Sequence, residues 1–104
     1  MNLATVKISP DGRCLMVSGI IAFDTLVQLR EQGGGLIHEV KPEEIIFDFQ
    51  EVERSDSSAL ALLTAWAREA RKLGKKVKFV NLQSQLMDIA RLSNLDKIIQ
   101  LSAL

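Results

Sequence analysis

"IIFDFQEVERSDSSALALLTAWAREARKLGKKVKFVN" occupies residues 45–81, and its reading decides the fold. It opens with "IIFDFQ" (45–50), an apolar run broken only by Asp48, the composition of a buried strand. In "SALALLTAWAREARKLG" (58–74), Ala59, Leu63, Trp66, Ala70 and Leu73 step by four, three, four and three, which predicts one apolar stripe on a helix. Arg68, Arg71 and Lys72 fall toward its C-terminus, where the helix dipole favours cations, and Gly74 suits its end. "KVKFVN" (76–81) is a strand again. Strand, helix, strand in this order predicts parallel pairing through a right-handed crossover.

Upstream, "LATVKI" (3–8) alternates, "SPDGR" (9–13) has turn chemistry and "CLMVSG" (14–19) is a second strand, so residues 3–19 read as a hairpin. In "IIAFDTLVQLREQGGGLIHEV" (20–40), Leu26, Leu29, Leu36, Ile37 and Val40 recur near helical spacing, with Asp24 or Thr25 as the cap. Gly33, Gly34 and Gly35 each cost such a helix about 1 kcal/mol relative to alanine. The helix is nevertheless expected to run on toward Glu39. The triplet lacks the spacing of a phosphate-binding loop. "KPEE" (41–44) is a break; downstream, "SQLMDIARLSN" (84–94) reads as a short helix and "KIIQL" (97–101) as a last extended piece. The expectation is an α/β fold in one domain over 1–104. Its sheet is mixed but mostly parallel, with an N-terminal hairpin and about three helices.

In such a sheet the turns leaving the strand C-termini gather along one edge, where sites are built. Residues 19–24, 50–57 and 81–84 are those turns. Ser55, Asp56, Ser57 and Ser58 form a polar knot on that edge, at a helix N-terminus, where anions and partner carboxylates are favoured. Asp56 or Ser57 would cap the helix, but a cap needs one side chain and four polar residues are present. No Glu or Gln completes a capping box.

The composition argues against most chemistry. Thirteen Lys and Arg balance thirteen Asp and Glu, so a neutral chain of 104 residues has no electrostatic case for gripping a polyphosphate. Its neutrality suits a subunit. One histidine, His38, and one cysteine, Cys14, cannot assemble a zinc set. His38 is expected on a helix face toward the opposite edge, too far to serve Ser57 as a base. Asp24 and Asp56 share the functional edge, but so small a domain has little room for a substrate cleft. Cys14 is expected as a buried, inert thiol and Trp66 as core. The basic run "REARKLGKKVK" (68–78) has no interleaved aromatic for base stacking and reads as a helix end and a solvated turn. Neither an enzyme, nor a cofactor, nor a nucleic-acid partner is expected. No signal peptide and no membrane span are read, so the chain is expected to be cytoplasmic.

The strand "IIFDFQ", the turn "EVERSDSSALALL", the passage "KLGKKVKFVN" and the close "LMDIARLSNLDKII" together resemble STAS domains, named for sulfate transporters and anti-sigma-factor antagonists. The resemblance spans nearly the whole chain. In the antagonists the serine directly after the Asp is phosphorylated by a partner kinase, a position that falls on Ser57 here. Two features depart from them. Ala59 stands where they usually have Gly, and "SGIIAFDT" (18–25) stands where they carry Gly-Glu-Leu-Asp. The latter is more similar to the STAS subunit of the Mla phospholipid-transport ABC system of Gram-negative bacteria.

That resemblance implies a non-catalytic subunit that binds an ABC ATPase and, through it, an inner-membrane permease, and supports their assembly and activity. Ser57 would be the central contact, Ser55, Asp56 and Ser58 would flank it, and Phe23, Asp24 and Thr25 would extend the patch. The domain would sit in the cytoplasm, peripheral to the inner membrane. The alternative is an anti-sigma-factor antagonist regulated by phosphorylation at Ser57.

Overall fold

A computed structural model describes residues 4–92 and 100–102. Its centre is β3 (Glu44–Ser55), flanked by β2 (Cys14–Ile21) and β4 (Lys76–Val80), both parallel to it. β1 (Thr5–Ile8) pairs antiparallel with β2, and β5 (Gln100–Ser102) pairs parallel with β4. The sheet order is β1-β2-β3-β4-β5, the same as the chain order. Helices α1 (Leu26–Glu39), α2 (Ala59–Lys72) and α3 (Ser84–Leu92) link the parallel strands. The expected α/β fold is therefore present, hairpin and final strand included. Leu3 and residues 93–99, on which parts of the expected first strand, last helix and last strand fall, lie outside the described residues.

Each right-handed crossover steps the sheet in the same direction, which puts the helices on one face. Burial follows that geometry. Leu15, Val17 and Ile21 of β2, Ile45, Phe47 and Phe49 of β3, and Val77 and Phe79 of β4 are buried. Their alternates Met16, Ile46, Asp48 and Lys78 stay partly accessible on the other face. The core is organised on Trp66, which is fully buried and stacks on Phe47 with ring centroids 4.2 Å apart. Stacked aromatics of this kind add about 0.5–1.5 kcal/mol beyond their burial.

The stripe on α2 needs correction. Ala59, Leu63, Trp66 and Ala70 are buried as expected, but Leu73 is 39% exposed and Leu62 is buried in its stead. Leu73 falls beyond the last helical residue, where the chain turns to β4 and the helical period no longer sets its direction. Cys14 is half-buried rather than buried; desolvation, with the carboxylates of Asp11 and Asp48, raises its thiol pKa.

α1 runs through its three glycines to Glu39. Gly33 has a packing reason, because a Cβ there would lie 2.3 Å from the indole nitrogen of Trp66. The end of α1 is tied down by Lys75, whose Nζ donates to the carbonyls of Ile37 at 2.8 Å and Val40 at 2.6 Å. One member of the basic run is thus a helix-terminus partner rather than part of a solvated turn.

β3 is longer than its apolar run. It does not stop at Gln50 but continues to Ser55. Along β2 there are two register shifts, Met16/Ser18 and Gly19/Ile20, at each of which β3 carries one residue more than β2. Such bulges bend a strand and change which side chains face the core. Inward positions therefore pass from Phe47 and Phe49 to Val52, breaking the alternation. Gly19, at φ +91, supplies the left-handed conformation beside the second shift. Pairing with β4 ends at Asp48, so the rest of β3, more than half of the strand, rises past β4 alongside β2 alone. That extension carries the polar knot.

Candidate functional site

The three turns expected on one edge do meet there. Ile21 at the end of β2 lies opposite Ser55, and the Asp56 N–H donates to the Ile21 carbonyl at 3.1 Å. The turn after β2, with Phe23, Asp24 and Thr25, thus leaves the sheet beside the knot. From the other side the turn after β4 is joined by Ser55 Oγ, which donates to Gln83 Oε1 at 2.9 Å.

Most of the polar side chains expected to meet a partner are engaged inside the molecule. Thr25 Oγ1 donates to the carbonyls of Ile20 at 2.9 Å and Ala22 at 3.1 Å and accepts from the Ala22 N–H at 3.0 Å. It shapes the turn and does not cap α1 with its side chain, as sequence reading had allowed for it or Asp24. Asp56 holds the start of α2: its Oδ1 accepts from the Ser58 N–H at 2.8 Å and from the Ser58 hydroxyl. Neither of the two residues considered caps α2 with its side chain, since the helix starts from Ser58; Asp56 instead closes the turn onto Ser58 and takes up its Oγ. Ser57 differs. It is exposed, and its hydroxyl has no hydrogen-bond partner among the described residues. It stands just before α2, where the helix dipole favours an approaching acceptor.

The surroundings of Ser57 are apolar as well as polar. A pocket of about 120 Å³ adjoins it, lined by Ser55, Asp56, Ser57, Gln83, Gln85, Leu86 and Ile89. Sequence reading did not find the α3 wall of this pocket; the signal available was Ile89, an apolar residue on the outer side of a short helix. Ile89 is 37% exposed and Leu92, one turn on, is 85% exposed. On the α1 side Phe23 is 82% and Val27 56% exposed. Large apolar side chains left in water on both flanks of a polar centre are the composition of a protein–protein contact.

His38 lies at the far end of α1, where its Nε2 is 2.8 Å from Glu69 Oε2 on α2. That interaction lowers the Glu69 pKa. The imidazole is thus committed at the opposite edge from Ser57. A larger groove, about 390 Å³, runs between α1 and α2 over Gly34, Gly35 and Trp66 beside this pair, away from the knot. Among the described residues no cluster of three or more His, Cys, Asp or Glu is placed to hold a metal ion.

Residues 4–101 match the family model described as "Mlab, STAS domain". The chain belongs to the STAS family, on its MlaB-like branch. This is a family of non-catalytic regulatory and accessory domains. No curated protein matches the chain. Among solved structures, the STAS fold is shared with the unphosphorylated anti-sigma factor antagonist SpoIIAA, at TM-score 0.69 and 17% identity over 94% of this chain and 88% of that one. The phosphorylated form of SpoIIAA, from Bacillus, aligns at TM-score 0.66 and 16% identity over 95% and 90%. An anti-sigma factor antagonist from Mycobacterium paratuberculosis aligns at TM-score 0.69 and 24% identity over 97% and 85%. At these identities the likeness concerns the fold.

Proposed function

We propose that residues 1–104 act as a non-catalytic STAS subunit that docks on the ATPase of a phospholipid-transport ABC system and supports its assembly and activity. The observation that carries this reading is the exposed hydroxyl of Ser57, which has no hydrogen-bond partner among the described residues and stands between the turn that carries exposed Phe23 and the pocket wall that carries exposed Ile89. The MlaB-like family match supports the choice of partner. Ser57 would give the central polar contact, with Phe23, Asp24 and Asp56 around it. Ser55, Ser58 and Thr25 would hold the three turns in place. The domain would work in the cytoplasm, reaching the inner membrane only through its complex; no helix among the described residues is long and apolar enough to cross a membrane.

The alternative is an anti-sigma factor antagonist in which Ser57 accepts phosphate. Its exposed hydroxyl is also what a kinase would require. Ala59 and the missing Gly-Glu-Leu-Asp segment weigh against it.

The test is co-expression of the tagged chain with the ATPase of its own host's lipid-transport operon. The expected result is a stoichiometric complex on gel filtration, with faster ATP turnover by the assembled transporter and none by the domain alone. A monomeric elution of both proteins at micromolar concentration would defeat the reading.

A further inference from the structure

Gln83 occupies an unusual position. Its carbonyl accepts from the N–H groups of Leu86 at 3.0 Å and Met87 at 3.1 Å, so it is the residue from which α3 starts. Short side chains such as Ser, Thr, Asp and Asn dominate that position because they fold back onto their own helix. The side chain of Gln83 points elsewhere. Its Oε1 accepts from Ser55 Oγ at 2.9 Å and its Nε2 donates to the Glu53 carbonyl at 3.4 Å. Two residues earlier Asn81, in the left-handed region at φ 59, donates from Nδ2 to Asp48 Oδ1 at 2.9 Å. The β3–β4 ladder ends at the pair Asp48 and Val80. The Asn81 bond closes that end, and beyond it, among the described residues, the two Gln83 side-chain bonds and no backbone pairing join the rising end of β3 to the start of α3.

We propose that Gln83 is a positioning residue for the docking edge: it fastens the serine knot to the first turn of α3 and so fixes the width of the pocket beside Ser57. The pocket has the knot on one wall and Gln85, Leu86 and Ile89 on the other, with Gln83 spanning the two. Its side chain is thus the element that decides how far Ser57 stands from the α3 wall. This role rests on the docking reading given above.

Two variants of the full chain test it. Gln83→Leu keeps the size and removes both hydrogen bonds. Gln83→Glu keeps the acceptor for Ser55. In the free protein, Gln83→Leu is expected to speed amide hydrogen exchange in residues 85–88 at least fivefold while leaving α2 unchanged, and Gln83→Glu to stay within twofold of wild type. Against the ATPase, Gln83→Leu is expected to bind three- to tenfold more weakly, with Gln83→Glu recovering most of that loss. The penalty of Ser57→Ala is expected to be smaller in the Gln83→Leu background than in wild type, because the hydroxyl is then no longer held in register. Unchanged exchange and wild-type affinity in Gln83→Leu would overturn the positioning role alone. Weaker binding with unchanged exchange and a full, independent Ser57→Ala penalty would also overturn it, because Gln83 would then touch the partner directly. Failure of the wild-type chain to bind the ATPase would instead overturn the docking reading.

Discussion

Gly33 packs against the indole of Trp66, so that a Cβ at residue 33 would stand 2.3 Å from Nε1 and 2.4 Å from Cε2. The indole is held in place. It is fully buried, lies nearly parallel to Phe47 at an interplanar angle of 7°, and its N–H reaches the Arg30 carbonyl at 3.3 Å. Gly33→Ala should therefore overpack the α1–α2 contact and cost roughly 1–3 kcal/mol. Gly34 and Gly35 have nothing within 4 Å of an added Cβ, so alanine at either should stabilise α1 by about 0.4–1 kcal/mol. Urea melts of the three variants check this; equal effects at all three positions would contradict the packing described.

Leu63→Ala should cost roughly 2–5 kcal/mol, because Leu63 is fully buried. Leu73→Ala should cost clearly less, about 1 kcal/mol or below, because Leu73 is 39% exposed past the end of α2. A similar penalty at both sites in urea melts would restore the longer stripe.

These two leucines mark where the sequence is readable and where it is not. Helical period located α2 and its core positions Ala59, Leu63, Trp66 and Ala70 but not Leu62, and period carries no information once the helix has ended, hence Leu73. The end of β3 was hidden for a related reason. Its bulges opposite β2 shift the inward side from Phe49 to Val52, and an alternation that changes phase looks like a loop. Strand–helix–strand alternation placed the knot at the C-terminal ends of the parallel strands, where it lies. Which hydroxyl is free was not legible, because that depends on Asp56 engaging Ser58 and Gln83 engaging Ser55, and these are tertiary or local geometric facts.

Lys75→Met should destabilise the chain by about 1–2 kcal/mol, as two carbonyls at the end of α1 lose a charged donor. Lys76→Met, which removes an exposed charge with no hydrogen bond or ion pair among the described residues, should be within about 0.5 kcal/mol of wild type. Amide exchange at residues 37–40 should accelerate in the first variant only.

Asp11 sets a pH-dependent contribution in the β1–β2 turn. Its Oδ1 accepts from Ser9 Oγ at 2.5 Å and from the Arg13 N–H at 3.1 Å, and the Ser9 bond leads in lowering its pKa. A carboxylate depressed on folding stabilises above its unfolded pKa, near 3.9, and loses that contribution as pH falls through the lower folded value. The stability difference between wild type and Asp11→Asn should thus be flat from pH 7 down to about 5 and shrink below about 4. A gap that widens on acidification would reverse the assignment.

Ser57 separates the two functional readings. In a docking subunit the native hydroxyl is itself the contact. Ser57→Ala should then weaken the ATPase complex by about 0.5–1.5 kcal/mol for one lost hydrogen bond. Ser57→Thr keeps the hydroxyl and should be tolerated at so exposed a position. Ser57→Arg should break the complex, since it brings bulk and an unpaired charge into a contact flanked by apolar side chains. In a phospho-regulated antagonist the signal is the added charge, about −1.5 to −2, at the start of α2. The dipole there favours that charge, while the adjacent Asp56 carboxylate opposes it. Ser57→Ala should then bind its partner constitutively and Ser57→Asp should fail. Titration of the four variants against the ATPase, with mass spectrometry of the protein from its native host, distinguishes the outcomes. Stoichiometric phosphate on Ser57, together with Ser57→Ala binding at least as well as wild type, would favour the antagonist, because a lost contact cannot strengthen the interface it belonged to.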